Sequence, residues 1–474
     1  MVSPLRVLFL SAEATPLAKV GGLGDVGGEL PRALRGRGVE VRASLPLYAS
    51  ILPAEDSSPV EVVVQRGPQP TRASITQRRV EGVEVMLVGG EPVTADPTVY
   101  SHGEPEADKF VFWCLATLAA CEKMDWKPDI VHAHDWHAAA AVARVWQLRS
   151  SEPFWANTAS VLTIHNLGYP GEGAEPVWQR YRLPAAEGRG VPPSRRHVPL
   201  IVGLAKADAL TTVSPTYARE IQTKDFGFGL EGLLRARRSE LTGILNGLDP
   251  RVWNPKTDAS LHVRYDSETL ERREENKRAL LTELRLEDRG RIPLLGFIGR
   301  MESQKGIDLL LHGLARVLDI PWQAVLLGTG QPELEAMATV FERGHPGRIR
   351  VVNRFEPTLA RRIYGSADMV LVPSRYEPCG LVQMIGMRYG CVPVVRATGG
   401  LKDSVREGPS GTGFVFEQTS ASDLAQAMHR ALAAFADEKP WRALQRRAAR
   451  EDFAWDRSAA KYIDVYRRAR RRAG

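Results

Sequence analysis

The chain has 474 residues, of which 43% are hydrophobic and 25% are charged, and its formal net charge is +7. This length exceeds what one hydrophobic core supports, so we expect two globular domains and exclude a disordered or fibrous chain. The 4 cysteines are too few and too irregularly spaced for a disulfide framework or a CxxC zinc site, which is typical of the reducing cytoplasm. No apolar run reaches membrane-spanning length, and the basic tail at 467–472 predicts a solvated helix end and no nucleic-acid surface.

Short apolar, β-rich segments alternate with helical patterns along the whole chain. In the first half these segments lie at 6–10, 39–45, 83–88, 130–133, 160–164 and 209–213, with helical patterns at 24–37, 109–123 and 138–148. In the second half they lie at 293–298, 324–327, 349–352, 369–372, 392–395 and 413–416. Such alternation predicts a doubly wound α/β sheet in each half. The start of the chain, 1–10, reads as a first strand and not as a signal peptide.

The two halves are separated by a segment without periodicity. Residues 242–257, TGILNGLDPRVWNPKT, are rich in Asn, Gly and Pro, and we predict a hinge at 243–257. We therefore assign 1–242 to an N-terminal domain and 258–455 to a C-terminal domain. A final amphipathic segment, 456–474, predicts a helix that Asp456 caps.

The stretch 372–401, VPSRYEPCGLVQMIGMRYGCVPVVRATGGL, predicts a strand, turn, helix and second strand. Glu377 follows the first of these strands, at the edge where open α/β sheets bind ligands. Gly399 and Gly400 follow the second strand, and paired glycines let backbone N–H groups approach an anion. The stretch therefore favours a phosphate-binding crevice.

Two further loops place cations at predicted strand ends. Lys19 begins the glycine-rich KVGGLGDV, which does not fit the Walker A motif and, unlike a dinucleotide fingerprint, does not directly follow the predicted strand. Such a turn serves close helix packing about as often as it binds an anion. Arg300 and Lys305 share the loop GRMESQKG after a strand, a placement suited to a diphosphate. For either cation alone, a solvated loop residue is the alternative.

A histidine-rich segment, HAHDWH at 132–137, has the composition of a metal cluster. We expect His132 and His134 to face opposite sides of a strand, and no HExxH or matched cysteine set accompanies them, so we favour a site without metal. The sequence also contains no Asp-x-Asp for Mg²⁺. His165 and Asn166 end another strand and should face the same crevice as Lys19.

Together these motifs resemble the bacterial glycogen synthases and plant starch synthases over essentially the whole chain. The shared segments are KVGGLGDV (19–26), HAHDWH (132–137), TIHNL (163–167), TTVSPTYAREI (211–221), GILNGLD (243–249), GRMESQKGIDLL (299–310), VPSRYEPCGLVQM (372–384) and TGGLKDSV (398–405). The resemblance implies two Rossmann-like domains facing a central cleft, the GT-B glycosyltransferase fold, with the last helix returning to the first domain. It also implies retaining transfer of glucose from ADP-glucose to the non-reducing 4-OH end of an α-1,4-glucan, without metal or cofactor.

The same resemblance implies roles for individual residues. Those implied to be catalytic are Glu377, Asp135, His165, Arg300 and Lys305. Those implied to bind substrate are Glu13, Lys19, Gly21, Gly22, Asp25, Tyr100, Asn166, Asn246, Cys379, Gly380, Leu381, Thr398, Gly399 and Gly400. In this scheme the C-terminal domain binds the nucleotide sugar, the N-terminal domain binds the glucan, and Lys19 completes the diphosphate clamp.

Other functions remain open at this point. One is a related transferase that uses UDP-glucose, or a lipid or small-molecule acceptor. Another is an inactive glucan-binding or scaffold protein, which the intact Lys19, Arg300, Lys305 and Glu377 argue against. A nicotinamide dehydrogenase is disfavoured because GLGDVG at 22–27, although it has the GxGxxG spacing, follows the predicted strand at 6–10 only after an intervening polar loop. Three departures concern substrate handling. Val20 stands where many bacterial members have threonine, Ile385 stands where many other retaining enzymes of this architecture carry a second glutamate, and 171–198 is shortened and rich in arginine.

Overall fold

The structure, a computed structural model, describes residues 4–51 and 58–473. The predicted first-strand segment, 1–10, includes residues 1–3, which lie outside these ranges. The predicted last segment, 456–474, includes residue 474, which also lies outside them. By its internal contacts the chain divides into two compact units, one of Met1–Gly247 with Trp455–Gly474 and one of Leu248–Ala454. Both contain a doubly wound α/β sheet, which confirms the predicted fold class.

The described strands are short and mostly apolar. They are β1 (Arg6–Leu10), β2 (Glu40–Pro46), β3 (Val60–Arg66), β4 (Gln69–Val80), β5 (Val83–Gly90), β6 (Ile130–His134), β7 (Ala159–Ile164), β8 (Ala209–Thr212), β9 (Leu241–Gly243), β10 (Leu294–Ile298), β11 (Gln323–Leu327), β12 (Ile349–Val352), β13 (Met369–Val372), β14 (Val392–Arg396) and β15 (Phe414–Phe416).

The described helices connect these strands. They are α1 (Gly22–Gly36), α2 (Glu91–Ala95), α3 (Glu104–Lys123), α4 (Asp135–Leu148), α5 (Glu175–Arg180), α6 (Pro199–Lys206), α7 (Pro215–Glu220), α8 (Glu231–Ala236), α9 (Arg273–Glu283), α10 (Ile307–Ala315), α11 (Pro332–Arg343), α12 (Pro357–Ser366), α13 (Val382–Arg388), α14 (Gly399–Ser404), α15 (Ala421–Ala436), α16 (Glu438–Ala449) and α17 (Trp455–Ala473). Short 3₁₀ turns lie at Pro193–Arg195, Leu270–Arg272 and Ser303–Lys305. Among residues 4–51 and 58–473, no helix combines the length and the apolarity needed to cross a membrane.

In the described ranges the N-terminal unit contains a nine-stranded sheet in the order β3-β4-β5-β2-β1-β6-β7-β8-β9. The pairs β3–β4 and β4–β5 are antiparallel, and the other neighbours are parallel. The chain order reverses between β1 and β6, so the loops after these two strands border the unit's ligand-binding crevice. One face of the sheet buries apolar residues of α1 and α17 against β1, β6 and β7.

The C-terminal unit contains, among its described residues, a six-stranded parallel sheet in the order β12-β11-β10-β13-β14-β15. Relative to chain order this is the 3-2-1-4-5-6 arrangement of the Rossmann fold, and its switch point lies between β10 and β13. Apolar residues of α10 and α15 fill one face of the sheet. The loops after β10 and β13 are therefore the ones placed to bind a ligand.

Several element boundaries differ from the sequence-based expectations. The hairpin of β3 and β4 was not predicted, because its alternating charged residues break the apolar pattern that we used to find strands. The predicted hinge begins inside β9. Asp456 does not precede the last helix as a cap, since α17 begins at Trp455; instead the Asp456 carboxylate accepts hydrogen bonds from the Arg37 guanidinium at 2.8 and 2.6 Å.

Candidate active site

The switch point of the C-terminal unit brings a lysine and a glutamate together. Lys305 lies in the loop after β10 and Glu377 in the loop after β13, and the lysine Nζ is 2.9 and 2.7 Å from the two carboxylate oxygens. Glu377 is only 6% exposed, whereas the Lys305 side chain is 22% exposed. The ammonium thus neutralises a buried carboxylate and remains reachable from solvent.

The position of Glu377 is fixed from several directions. The buried hydroxyl of Ser374 donates to Glu377 Oε2 at 2.8 Å. The two loops are also joined through the backbone, because the Arg375 N–H donates to the Gln304 carbonyl at 2.8 Å and the Gln304 side chain donates to the Tyr376 carbonyl at 3.3 Å. A carboxylate held in this way keeps one orientation before any ligand binds.

The loop after β14 passes directly against this turn. The Gly400 N–H donates to the Glu377 carbonyl at 3.1 Å, and Thr398 precedes α14 in extended conformation. A Cβ on Gly399, whose φ is +44°, would lie 1.9 Å from the Glu377 carbonyl oxygen, and one on Gly400 would lie 2.0 Å from that of Cys379. The paired glycines are therefore required for close approach of two backbones.

The neighbouring predicted residues follow the same turn. Gly380 has φ +73°, which few residues other than glycine adopt, and Cys379 is buried beside it. Leu381 directly precedes α13. The Gln383 side chain donates to the carbonyls of Cys379 and Gly380 at 3.2 and 2.8 Å. This side chain closes the turn that carries Glu377.

Arg300 lies on the same loop as Lys305 but is oriented differently. Its guanidinium pairs with Glu302 at 2.9 Å, and the side chain is 55% exposed. The backbone beside it is fixed, since the Met301 N–H donates to the Thr329 carbonyl at 3.0 Å. The loop therefore offers one exposed cation on a rigid backbone.

In the N-terminal unit the glycine-rich loop after β1 is organised by Glu13. One oxygen of this buried carboxylate accepts the N–H groups of Val20 and Gly21 at 2.5 and 2.8 Å, and the other accepts the Tyr100 hydroxyl at 2.5 Å. Burial and then the Glu13 charge raise the pKa of Tyr100. Glu13 thus holds the loop and Tyr100 in one arrangement.

Lys19 lies on this loop and pairs with the first turn of α1. Its Nζ is 2.6 Å from the Asp25 carboxylate, and its side chain is 42% exposed. Burial raises the pKa of Asp25, and the Lys19 charge opposes that shift. Gly22 begins α1 directly after the loop. Lys19 is therefore an accessible cation at the start of a helix, where an anion is favoured.

Asp135, the first residue of α4, connects the end of β6 with the backbone after β7. It has φ +55°, which is uncommon for a residue other than glycine, and its carboxylate accepts the His165 N–H at 2.7 Å and the Asn166 N–H at 3.5 Å. Burial raises the pKa of Asp135 to about 7, although these N–H groups favour the charged form. The strand ends of β6 and β7 thus meet at one carboxyl group.

The histidines do not alternate across the sheet as we expected. His132 and His134 share one face of β6, with ring centroids 4.2 Å apart, because strand positions two apart point the same way. His132 hydrogen-bonds the Thr163 hydroxyl at 2.6 Å and the Tyr466 hydroxyl at 2.8 Å, while His134 Nδ1 lies 2.8 Å from His165 Nε2. Burial lowers the pKa of His132 and of His165 to about 3, so both rings are neutral near pH 7.

Asn246, which follows β9, contributes a buried polar group to the N-terminal unit. The residue is 6% exposed, and its side-chain carbonyl oxygen has no hydrogen-bond partner among the described residues. Buried acceptors are normally satisfied by protein or ligand donors. This oxygen is therefore a buried acceptor whose donor is not among the described residues.

The chain is similar to several known proteins over most of its length. Residues 6–236 match the family described as "Starch synthase catalytic domain", and residues 292–434 match "Glycosyl transferases group 1". The glycogen synthase of Moorella thermoacetica is 38% identical over 99% of this chain and 98% of its own length. That of Geobacillus stearothermophilus is 36% identical over 98% of this chain and 97% of its own.

This chain belongs to the glycogen synthase family. The catalytic domain of starch synthase IV from Arabidopsis thaliana, solved with ADP and acarbose bound, superimposes with a TM-score of 0.87 at 31% identity, covering 99% of this chain and 100% of that one. The sucrose-phosphate synthase of Thermosynechococcus elongatus, at 20% identity and a TM-score of 0.62, covers 98% of each chain and shares the fold. The glycogen synthase family consists of glycosyltransferases, so the chain is an enzyme of that class.

Two residues of this family member were not found by sequence reasoning. Ser374 carries no motif signal of its own, because a buried serine in a turn is common. Phe355 follows β12 and is 82% exposed, although large apolar side chains are usually buried. Since β12, β11 and β10 are neighbours, Phe355 lies along the same carboxyl edge of the sheet as Arg300. A lone aromatic residue after a predicted strand was the available signal.

Proposed function

We propose that the enzyme transfers glucose from ADP-glucose to the non-reducing 4-OH end of an α-1,4-glucan, with retention of the anomeric configuration and without a metal ion. The observation that carries this proposal is the Lys305–Glu377 pair at the switch point of the C-terminal sheet, with Arg300 on the same loop. The ADP bound by the Arabidopsis starch synthase supports ADP-glucose as the glucose donor. We place the reaction in the cytoplasm, because buried cysteines without CxxC spacing are typical of a reducing compartment.

The chemistry explains why cations belong at this position. As the bond between C1 and the β-phosphate oxygen breaks, negative charge develops on the departing diphosphate. Preorganised cations stabilise this charge more in the transition state than in the ground state, which lowers the barrier. We assign this part to Arg300 and Lys305, and we assign Thr398, Gly399 and Gly400 to the phosphates. Lys19, with Gly21 and Gly22, is proposed to bind a substrate anion at the start of α1 in the N-terminal unit.

The Glu377 carboxylate complements these cations, because it can stabilise positive charge on the reacting sugar. Positive charge develops at C1 as the bond breaks, and we assign Glu377, Asp135 and the neutral His165 to the reacting sugar. Retention follows if acceptor O4 forms its bond to C1 on the face from which the diphosphate leaves, while a departing phosphate oxygen takes the O4 proton. A glucosyl group trapped covalently on Asp135 or Glu377 would contradict this sequence of events.

Recognition of the two substrates is divided between further residues. We assign Tyr100, Asn166 and Asn246 to the acceptor, on the basis of the resemblance and of the buried Asn246 oxygen. Phe355 offers an exposed aromatic face after β12, at the same edge of the sheet as Arg300, and we assign it to the donor base, since such faces stack on planar rings.

The deciding experiment measures incorporation of labelled glucose into glycogen from ADP-glucose and from UDP-glucose, with a chelator present. We expect incorporation from ADP-glucose, a much lower rate from UDP-glucose, and an α-1,4 linkage by nuclear magnetic resonance. Equal or higher turnover of UDP-glucose would favour the alternative donor. Glycogen binding without turnover of either donor would identify an inactive glucan-binding protein and overturn the proposal.

A further inference from the structure

The N-terminal unit exposes two aromatic side chains beside the turn that contains Asn166. Tyr169 is 53% exposed and Phe228 is 44% exposed. Exposed apolar side chains that lie next to one another mark binding surfaces more often than single exposed apolar side chains do. Nothing in the proposed reaction at the sheet edge yet uses them.

Both aromatic residues are tied to the Asn166 turn itself. The Tyr169 N–H donates to the Asn166 carbonyl at 3.3 Å, and the Gly168 N–H donates to Asn166 Oδ1 at 3.0 Å. A Cβ on Gly168 would lie 3.5 Å from two ring carbons of Phe228, so that ring borders the turn. The two aromatic side chains therefore border the turn of Asn166, which we assigned to the acceptor.

Phe228 is held in this position against its local preference. Its φ is +50°, a conformation that aromatic residues rarely adopt, and it follows Gly227 in the segment GFG. Arg195 supports it: one guanidinium nitrogen donates to the Phe228 carbonyl at 3.2 Å, and the other pairs with Glu172 at 2.8 Å. A backbone held in an unfavourable conformation by a neighbouring segment points to a functional requirement.

We infer that Tyr169 and Phe228 form an aromatic subsite that binds glucose units of the α-1,4-glucan acceptor beyond its reacting end, and that Arg195 positions it. The inference rests on the proposed function. Aromatic rings pack against the apolar faces of pyranose rings while the sugar hydroxyls remain in water, which suits a partly exposed surface. It also gives a role to Arg195 of the arginine-rich segment 171–198, which bonds the Phe228 carbonyl.

The test compares kinetics of Tyr169→Ala, Phe228→Ala and Phe228→Tyr with the parent enzyme. With maltoheptaose varied at saturating ADP-glucose, we expect the two alanine variants to raise the KM for maltoheptaose about fivefold to twentyfold, with kcat and the KM for ADP-glucose within about twofold. Phe228→Tyr keeps the ring and should behave like the parent. Arg195→Met should raise the same KM to a smaller extent. Val63→Ala, at an exposed apolar residue of the same unit, is the neutral control.

Migration in gels containing glycogen gives a readout that does not depend on turnover, and we expect both alanine variants to be retarded less than the parent. Parent-like KM and migration in Tyr169→Ala and Phe228→Ala would overturn the subsite while leaving the proposed function intact. A raised KM for ADP-glucose alone would show that the aromatic pair contacts the donor, which also overturns it. Failure of the parent enzyme to elongate glucan at all would instead overturn the proposed function. If Phe228→Ala does not fold, Tyr169→Ala decides.

Discussion

Lys305 donates from a single ammonium group to both carboxylate oxygens of Glu377, at 2.9 and 2.7 Å. These residues come from loops 72 positions apart in the sequence, and the switch point of the sheet brings them together. Because each partner determines where the other lies, the pair acts as one unit in any substitution experiment.

We predict that Lys305→Ala and Glu377→Ala each lower kcat by about a hundredfold or more, the scale expected when a preorganised charge contact is lost. The double variant should be little worse than either single one, since residues that act as a unit are not additive. Steady-state rates with ADP-glucose and glycogen measure this. Arg450→Ala, which removes a pair with Glu268 whose partners are 61% and 64% exposed, should retain parent activity. Parent rates in both single variants would remove these residues from the site.

Ser374→Ala should lower kcat/KM by about tenfold, because the buried hydroxyl that donates to Glu377 Oε2 would be lost and a hydrogen bond to a charged group contributes about 1.5–3 kcal/mol. The matched control is Ser420→Ala. Ser420 caps α15 through the Asp423 N–H at 3.1 Å, so its loss should destabilise the protein by about 1 kcal/mol and leave kinetics unchanged. Equal kinetic effects in the two variants would show that Ser374 contributes only stability.

Gly399→Ala should reduce activity by more than tenfold and destabilise the protein by about 1–3 kcal/mol. The added methyl would lie 1.9 Å from the Glu377 carbonyl oxygen and would force the turn to move. Gly36→Ala is the control, because nothing lies within 4 Å of a Cβ at that position of α1; we expect no loss of activity and a gain of up to about 1 kcal/mol. Thermal unfolding measures the stability of the two variants, and initial rates measure their activity. A fully active Gly399→Ala enzyme would show that the backbones of Gly399 and Glu377 do not need to lie so close together.

Phe355→Ala should raise the KM for ADP-glucose about fivefold to tenfold with little change in the KM for glycogen, because the exposed ring would no longer stack on the base. Phe355→Tyr keeps the aromatic face and should preserve the KM. Val340→Ala, at another exposed apolar residue of the same unit, provides the comparison. An unchanged KM for ADP-glucose in Phe355→Ala would exclude base stacking at this residue.

Four histidines make folding stability depend on pH. Burial lowers the pKa of His132, His137 and His165 to about 3 and that of His134 well below its usual value. Below pH 6.5 the unfolded chain therefore binds more protons, so the free energy of unfolding should rise as pH increases from about 3 to 6.5, by up to about 1.4 kcal/mol per pH unit for each histidine. Asp135, whose pKa is raised to about 7, opposes this in part, because it holds a proton in the folded state between about pH 4 and 7.

Calorimetric unfolding between pH 5 and 7 measures this slope. We expect His132→Gln to lower the slope of the free energy of unfolding against pH by up to about 1.4 kcal/mol per pH unit, the contribution of one bound proton. Asp135→Asn should steepen the slope, because the opposing contribution of Asp135 is removed. If the free energy of unfolding of the parent enzyme stays constant or falls between pH 5 and 6.5, the buried histidines are not neutral in the folded state.

The sequence located the switch-point loops but not the contacts within them. Apolar runs identified every strand of the C-terminal sheet, because buried parallel strands are almost continuously hydrophobic. The pairing of Lys305 with Glu377 depends on strand order, which no local pattern specifies. The strands β3 and β4 were missed because their polar residues alternate with apolar ones across an antiparallel hairpin.

The histidine prediction failed for a different reason. The motif at 132–137 was recognised, but residues two apart on a strand were assigned to opposite faces, contrary to the period of two. The partners of His132 could not have been read locally either, since Tyr466 lies 334 positions away. Side chains that link distant segments are the part of a site that a single sequence describes least.

That distant tyrosine affects how the molecule is made. The N-terminal unit takes α17 from the far end of the chain, with Tyr466 buried against His132. During synthesis the ribosome must therefore finish the whole C-terminal unit before the N-terminal unit can complete its own core. Until α17 has been synthesised, the apolar face of the N-terminal sheet that α17 covers stays exposed to solvent. Binding of a chaperone to this face would protect the chain most during that stage of synthesis.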